Sequence, residues 1–299
     1  MGEIALKNKS HKKEDAIPVI SLIAVIVVGI FMIGIRFLPK NNLEPNKQAG
    51  GTIGKINSES SKVNRKTDDK LQRAWKRALT NYDGNASIAV YSQKDNAVYS
   101  YTNNPNVKSY YTASTCKVAV LTLLLHQRNG NLTDEEKNLA TSMIEESDND
   151  ATDSLVSDLG GSAQLDNLYH DLKMNHTKSD VHWGLTETVP SDQLKLLNNI
   201  FYPSDYLSDS SRKYIQSLMG NIDDSQDWGV SAGSNTFYLK NGWLQDDDGS
   251  WMINSIGFIP NPDSSNDYTI AVYTNENSSM EDGEDAIQSL ASATKQILQ

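Results

Sequence analysis

One cysteine, Cys116, stands in 299 residues, so no disulfide can form within the chain. No cysteine near the N-terminus offers a lipid attachment site. Histidine is scarce too. Among the five, His170, His176 and His182 recur every six residues, a spacing that fits neither a helix face nor a zinc pattern. No metal and no cofactor are expected. Cations are few where they would matter for nucleic acid: residues 68–299 carry 16 Lys and Arg against 33 Asp and Glu. That acidic balance argues against nucleic acid as a partner of this part. Residues 1–67 reverse it, with 11 cations against 5 acids.

Long apolar runs are absent except one. From Ala16 to Ile35, "AIPVISLIAVIVVGIFMIGI" holds no charge over about 20 residues, the length that crosses a hydrocarbon core at ~1.5 Å per residue. It is too long for a signal-peptide core, and "RFLPKNN" offers no small-residue cleavage site. The expectation is a short polar tail (1–15) and an uncleaved, single-pass membrane anchor (16–38). Lys7, Lys9, Lys12 and Lys13 before the run balance Arg36, Lys40, Lys47 and Lys55 after it, so charge does not set the orientation. Residues 39–67, rich in Asn, Lys, Ser and Gly, bury too little apolar surface to order themselves and read as a tether.

The rest, 68–299, has the length of one α/β domain of α+β type. Leu71, Trp75 and Leu79 predict an amphipathic helix. "NASIAVYSQKDNAVYSYT" predicts a hairpin turning at Lys94–Asn96, and a helical middle follows from Thr112 to about Met219. "TFYLKNGWL", "SWMINSIGFI" and "YTIAVYTNE" predict three strands, the first two joined by an Asp-Gly turn. A helix over Glu284–Leu298 closes the chain. The expected architecture is one antiparallel sheet from the N-terminal hairpin and the C-terminal strands, flanked by terminal helices and a helical subdomain. Asp246, Asp247 and Asp248 read as a solvated turn rather than a calcium site.

The chemistry begins at "TASTCKVAVLTLLL". Ser114 and Lys117, three apart, share a helix face, and the helix is apolar all round. Burial disfavours an ammonium and makes a lysine a usable base beside a hydroxyl nucleophile. Alone the spacing says little, since Ser10/Lys13, Ser210/Lys213 and Ser292/Lys295 repeat it. Cys116 turns away from the Ser114 face and reads as a small buried hydrophobe. Downstream come Ser147-Asp148-Asn149 between two helical segments, then Lys240-Asn241-Gly242 in a strand. Lys240 is the one cation between Lys213 and Lys295. A glycine inside a strand marks close approach of a ligand to the backbone.

Ser-x-x-Lys, Ser-Asp-Asn and Lys-x-Gly, in that order, are the signature set of the penicillin-recognising serine acyl-transferases. From about Asp68 onward the chain resembles a class A β-lactamase-like serine hydrolase. The resemblance implies Ser114 as acylated nucleophile, Lys117 as its base and Ser147 as proton relay to the leaving nitrogen. Asn149 would orient Lys117 and the substrate, and Lys240 would attract a substrate carboxylate. Asn241 and Gly242 would line the substrate strand, and the N–H groups of Ser114 and Trp243 would form the oxyanion hole. The implied substrate is a β-lactam or a peptidoglycan-derived amide, with the domain outside the cytoplasm. Three departures stand out. Asn241 replaces the usual Thr or Ser. Met252 falls where an Arg often binds carboxylate. No Ω-loop Glu-x-x-Leu-Asn is present, its nearest substitute being Glu187, so deacylation is expected to be weak. A D,D-peptidase, an esterase or a non-turnover binding module remain alternatives. Trp183-Gly184 reads as loop packing or as a pocket wall.

Overall fold

The computed structural model describes residues 64–261 and 266–299. The anchor and most of the tether lie outside the described residues. Among those described, no helix is long and apolar enough to cross a membrane.

Helix α1 (Arg65–Ala78) starts where the Asn64 side chain caps the Thr67 N–H, so it reaches three residues into the segment expected as tether. Its buried stripe, Leu71 and Trp75, continues to Leu79. Strands β1 (Asn85–Ser92) and β2 (Ala97–Thr102) form the expected hairpin, followed by the short β3 (Tyr110–Tyr111). The helical middle comprises α2 (Cys116–Gln127), α3 (Asp134–Thr141), α4 (Asn149–Asp158) and α5 (Leu165–Asp171). After β4 (Glu187–Thr188), which pairs with β3, come α6 (Pro190–Phe201) and α7 (Asp209–Met219). Strands β5 (Tyr238–Gln245), β6 (Trp251–Ile259) and β7 (Tyr268–Asn277) precede α8 (Met280–Leu298). That last helix begins four residues earlier than its apolar pattern suggests, because Ser279 caps the Asp282 N–H.

The sheet order is β2-β1-β7-β6-β5, all antiparallel. Strands from the two ends of the domain thus meet at β1 and β7, as expected. Two apolar cores cover its faces. One joins α1 and α8 to the sheet through Leu71, Trp75, Ile253, Ile270 and Leu290, and the Trp75 indole donates to Thr294 Oγ1 at 2.8 Å. The other joins the opposite face to the helical middle through Leu121, Leu124, Met143, Leu155 and Ile256. Helix α2 is the axis of that second core, with every residue from Cys116 to Leu125 buried. The β5 edge of the sheet is left beside the start of α2. The site forms there.

Candidate active site

Ser114 sits in the single turn Ala113–Thr115 that leads into α2. Ala113 before it has φ +47°, a left-handed conformation that costs a non-glycine residue ~1–2 kcal/mol. The turn is held from behind. Thr115 Oγ1 bonds the Thr112 carbonyl and the Tyr273 hydroxyl, both at 2.7 Å, while Asn254 Nδ2 donates to the Tyr111 carbonyl at 2.9 Å. From in front, Gly242 on the edge strand β5 presses against it. A Cβ there would lie 2.6 Å from the Ser114 nitrogen and 2.8 Å from that of Thr115. The sequence marks Gly242 for close approach of a ligand to the backbone; what approaches it is the backbone of the Ala113–Thr115 turn. The Ser114 hydroxyl has no hydrogen-bond partner among the described residues.

One turn on, Lys117 is fully buried and donates to the Ser147 carbonyl (2.6 Å), Ser147 Oγ (3.2 Å) and Asn149 Oδ1 (2.8 Å). Burial lowers its pKa to about 8 against the opposing charges of Asp148 and Asp153. The Trp183 ring covers the ammonium, 5.1 Å from Nζ to the ring centroid, and its indole N–H is fixed by Asp153 at 2.8 Å. Trp183 is therefore a wall of the site.

Ser147 ends a π-helical turn, Ser142–Glu146, in the left-handed conformation (φ 60°, ψ 33°). Asp148 then caps α4, accepting from the Ala151 N–H at 2.6 Å. The Ser-Asp-Asn order divides the work: a strained serine, a capping aspartate, and an asparagine on the first turn of α4 turned toward Lys117. From the opposite side Lys240, also fully buried, donates to Ser147 Oγ at 2.9 Å and more weakly to Gln226 Oε1 at 3.3 Å. Burial, and then the charge on Lys117, push its pKa well down. No pattern in the sequence marks Gln226, which lies in a short turn remote from every motif.

Two expectations need correction. Asn241 is buried, and its amide nitrogen is spent on the carbonyls of Gln226 (2.8 Å) and Trp228 (3.2 Å). It ties β5 to the preceding loop instead of facing a substrate. Met252 pairs with Leu244, whereas the residues opposite Lys240, Asn241 and Gly242 are Ile256, Ser255 and Asn254. None of these is an arginine, so Lys240 is the one basic side chain on this stretch of the strand pair.

Ser114, Asn149, Trp183 and Trp243 line one cleft of about 920 Å³. Its acids are each engaged: Asp153 by Trp183, Asp166 by the Ser179 N–H and Asp180 by the His182 N–H. Glu187 is elsewhere, accepting from the Ser109 hydroxyl at 3.2 Å and bordering a separate hollow with Met252. Cys116 is buried between Tyr169 and Thr186, away from the cleft, and burial raises its pKa.

The sequence profile of the "Beta-lactamase enzyme family" matches residues 131–298. Among solved structures, the chain is similar to a class A β-lactamase from Bacteroides cellulosilyticus DSM 14838 (TM-score 0.66, 16% identity, 78% of this chain and 97% of that one). It is similar to the TLA-1 extended-spectrum β-lactamase (TM-score 0.67, 18% identity, 78% and 99%). It is also similar to a point mutant of PBP-A, solved as an acyl-enzyme complex with penicillin G (TM-score 0.63, 19% identity, 76% and 96%). At such identities the likeness shows the fold. None of the curated proteins matches by sequence.

Proposed function

Because the chain belongs to the β-lactamase enzyme family, we propose that it is a membrane-anchored serine hydrolase that acylates Ser114 with a β-lactam or a related cell-wall peptide amide. The observation that carries this reading is the convergence of Lys117, Ser147, Asn149 and Lys240 beside a cleft that Ser114 lines.

A lysine with a pKa near 8 is neutral in roughly a tenth of molecules at pH 7, enough to serve as a base. Neutral Lys117 takes the Ser114 proton as the oxygen attacks the amide carbon. Ser147 lies within hydrogen-bond distance of both lysines, so it can donate its own proton to the leaving nitrogen and recover one from Lys117. Lys240 keeps the Ser147 oxygen in place, and a substrate carboxylate arriving at this end would restore the charge that burial disfavours. The N–H groups of Ser114 and Trp243 are assigned to the carbonyl oxygen as it becomes negative, where losing one donor costs ~10²–10³ in rate.

Hydrolysis of the acyl-enzyme is assigned as the slow step. None of the cleft acids stands in a Glu-x-x-Leu-Asn pattern, each has one oxygen tied to a donor, and Glu187 borders a separate hollow. The PBP-A mutant has been caught as such an acyl-enzyme. The same feature favours a second reading, in which a peptide or ester is the natural substrate and the β-lactam only an inhibitor, or the site binds without turnover. Residues 16–38 would anchor the chain, with the domain on the extracytoplasmic side where such amides occur.

Intact-mass spectrometry of the full chain with benzylpenicillin tests the core of this. We expect a stable adduct that is absent from Ser114→Ala. Absence of any adduct together with absence of penicillin turnover refutes the acylation, and a burst followed by fast steady hydrolysis refutes the slow deacylation.

A further inference from the structure

We infer that the exposed face of α1 is a docking surface for an anionic phospholipid bilayer and turns the active-site cleft away from it. The inference rests on the reading of residues 16–38 as a membrane anchor.

Arg65, Lys66, Lys70, Arg73, Lys76 and Arg77 are all exposed. At 100° per residue they fall within an arc of about 140°, opposite the buried Leu71 and Trp75. Asp69 is the one acid inside the arc. None of the six makes an ion pair within 4 Å among the described residues. Arg73, Lys76 and Arg77 also border a shallow groove with Leu79 and Tyr101, an apolar floor with a phenolic rim. Cations above such a floor suit phosphate headgroups and the glycerol level beneath them.

The occupant follows from charge and from reach. Residues 68–299 carry twice as many acids as cations, so most of this surface is repelled by an anionic leaflet while α1 is attracted. The apolar run ends at Ile35 and α1 is capped at Asn64. An anchor only 28 residues before the cap would keep α1 at high effective concentration near the bilayer. Weak, salt-sensitive contacts then suffice to orient the domain. The consequence is geometric. Helix α1 packs on one face of the sheet with α8, and α2, which carries Lys117, packs on the other. A domain lying on α1 presents Ser114 outward, toward wall material.

The test uses the full chain in nanodiscs of phosphatidylglycerol or phosphatidylcholine, with a fluorophore at Thr80→Cys beside the groove or at Asp247→Cys in the β5–β6 turn. Cys116 is buried and stays unlabelled. The expected result is severalfold stronger quenching by headgroup-spin-labelled lipid at position 80 than at 247. It should appear in the anionic discs and vanish in 1 M salt, in the neutral discs, and in Lys70→Glu/Arg73→Glu/Lys76→Glu/Arg77→Glu. Circular dichroism melting confirms that the quadruple variant is folded, and salt supplies the same contrast without mutation. Equal quenching in both lipids, or at both positions, overturns the docking while leaving the anchor intact. So does displacement of the label by soluble polyglycerol phosphate, which would make a wall polymer the partner. Flotation with neither kind of vesicle overturns the anchor, and the docking with it.

Discussion

Lys240 Nζ lies 2.9 Å from the Ser147 hydroxyl, 93 residues earlier in the chain. That bond closes the site, because it joins the edge strand of the sheet to the helical middle at the oxygen that Lys117 also contacts. Replacing Ser147 by glycine should remove the relay while relieving the left-handed backbone, whose cost to a non-glycine residue is ~1–2 kcal/mol. The lost charge-assisted bonds work against that gain, at ~1.5–3 kcal/mol. We expect acylation slowed by ~10²–10⁴-fold with global stability changed by no more than about 2 kcal/mol. Stopped-flow acylation and a urea melt on the same preparation check both halves.

Lys117 gives a pH signature of definite sign. Its folded pKa, about 8, lies below that of a free lysine, so acylation should rise with pH and reach half its limit near 8. For stability, the unfolded chain holds this proton through a window from about 8 to about 10.5 in which the folded chain has released it. Unfolding free energy therefore increases with pH across that window, by about 3 kcal/mol at ~1.4 kcal/mol per pH unit. Lys117→Met should lack this rise and lose acylation by ~10²-fold or more. Denaturant titrations at pH 7 and pH 10 compare the two. Parallel stability in wild type and variant would contradict the assignment.

How far the sequence reveals the site follows the length scale of each interaction. Ser114 and Lys117 are legible as a pair because they stand one helical turn apart in sequence, although Ser114 falls in the single turn that precedes α2. The hairpin and the final three strands are legible by alternation, and their pairing across β1 and β7 follows from having few strands to choose among. Lys240 announces itself as a lone cation in an acidic stretch. Gln226 and the Trp183–Asp153 bond give no such signal, since each depends on loops whose course is set by tertiary packing. Asn241 misleads for a related reason. Residue type shows that an amide can donate, and only coordinates show that Gln226 and Trp228 already take what it donates.

Gly242 should be intolerant of any side chain. An alanine Cβ would come within 2.6 Å of the Ser114 nitrogen and 3.0 Å of the Thr112 carbonyl oxygen, both backbone atoms that cannot swing aside. Either β5 retreats or the Ser114 turn shifts, and a displacement of that size typically costs ~10²-fold in rate. Gly242→Ala should stay folded, because β5 is an edge strand, and should lose acylation nearly completely by intact mass.

Asn241→Thr would restore the residue more usual in this family, yet we expect it to weaken the protein. It leaves the carbonyls of Gln226 and Trp228 without a donor, at ~1–3 kcal/mol for a buried group left unpaired. A domain of this size should then melt ~2–12 °C lower, which calorimetry can read. Unchanged melting would mean that threonine or water serves those carbonyls.

Asp153 separates charge from geometry at Lys117. Its carboxylate holds the Trp183 indole and also favours the charged ammonium, opposing the burial that lowers the Lys117 pKa. Asp153→Asn keeps an oxygen for the indole N–H and deletes the charge. The pKa of Lys117 should fall further, so the pH–acylation curve should move to lower pH, with faster acylation at pH 7 and an unchanged plateau. Asp153→Leu also deletes the charge but frees Trp183 from its tether, so its plateau should drop. An unmoved curve in Asp153→Asn would show that the carboxylate acts on Lys117 through Trp183 alone.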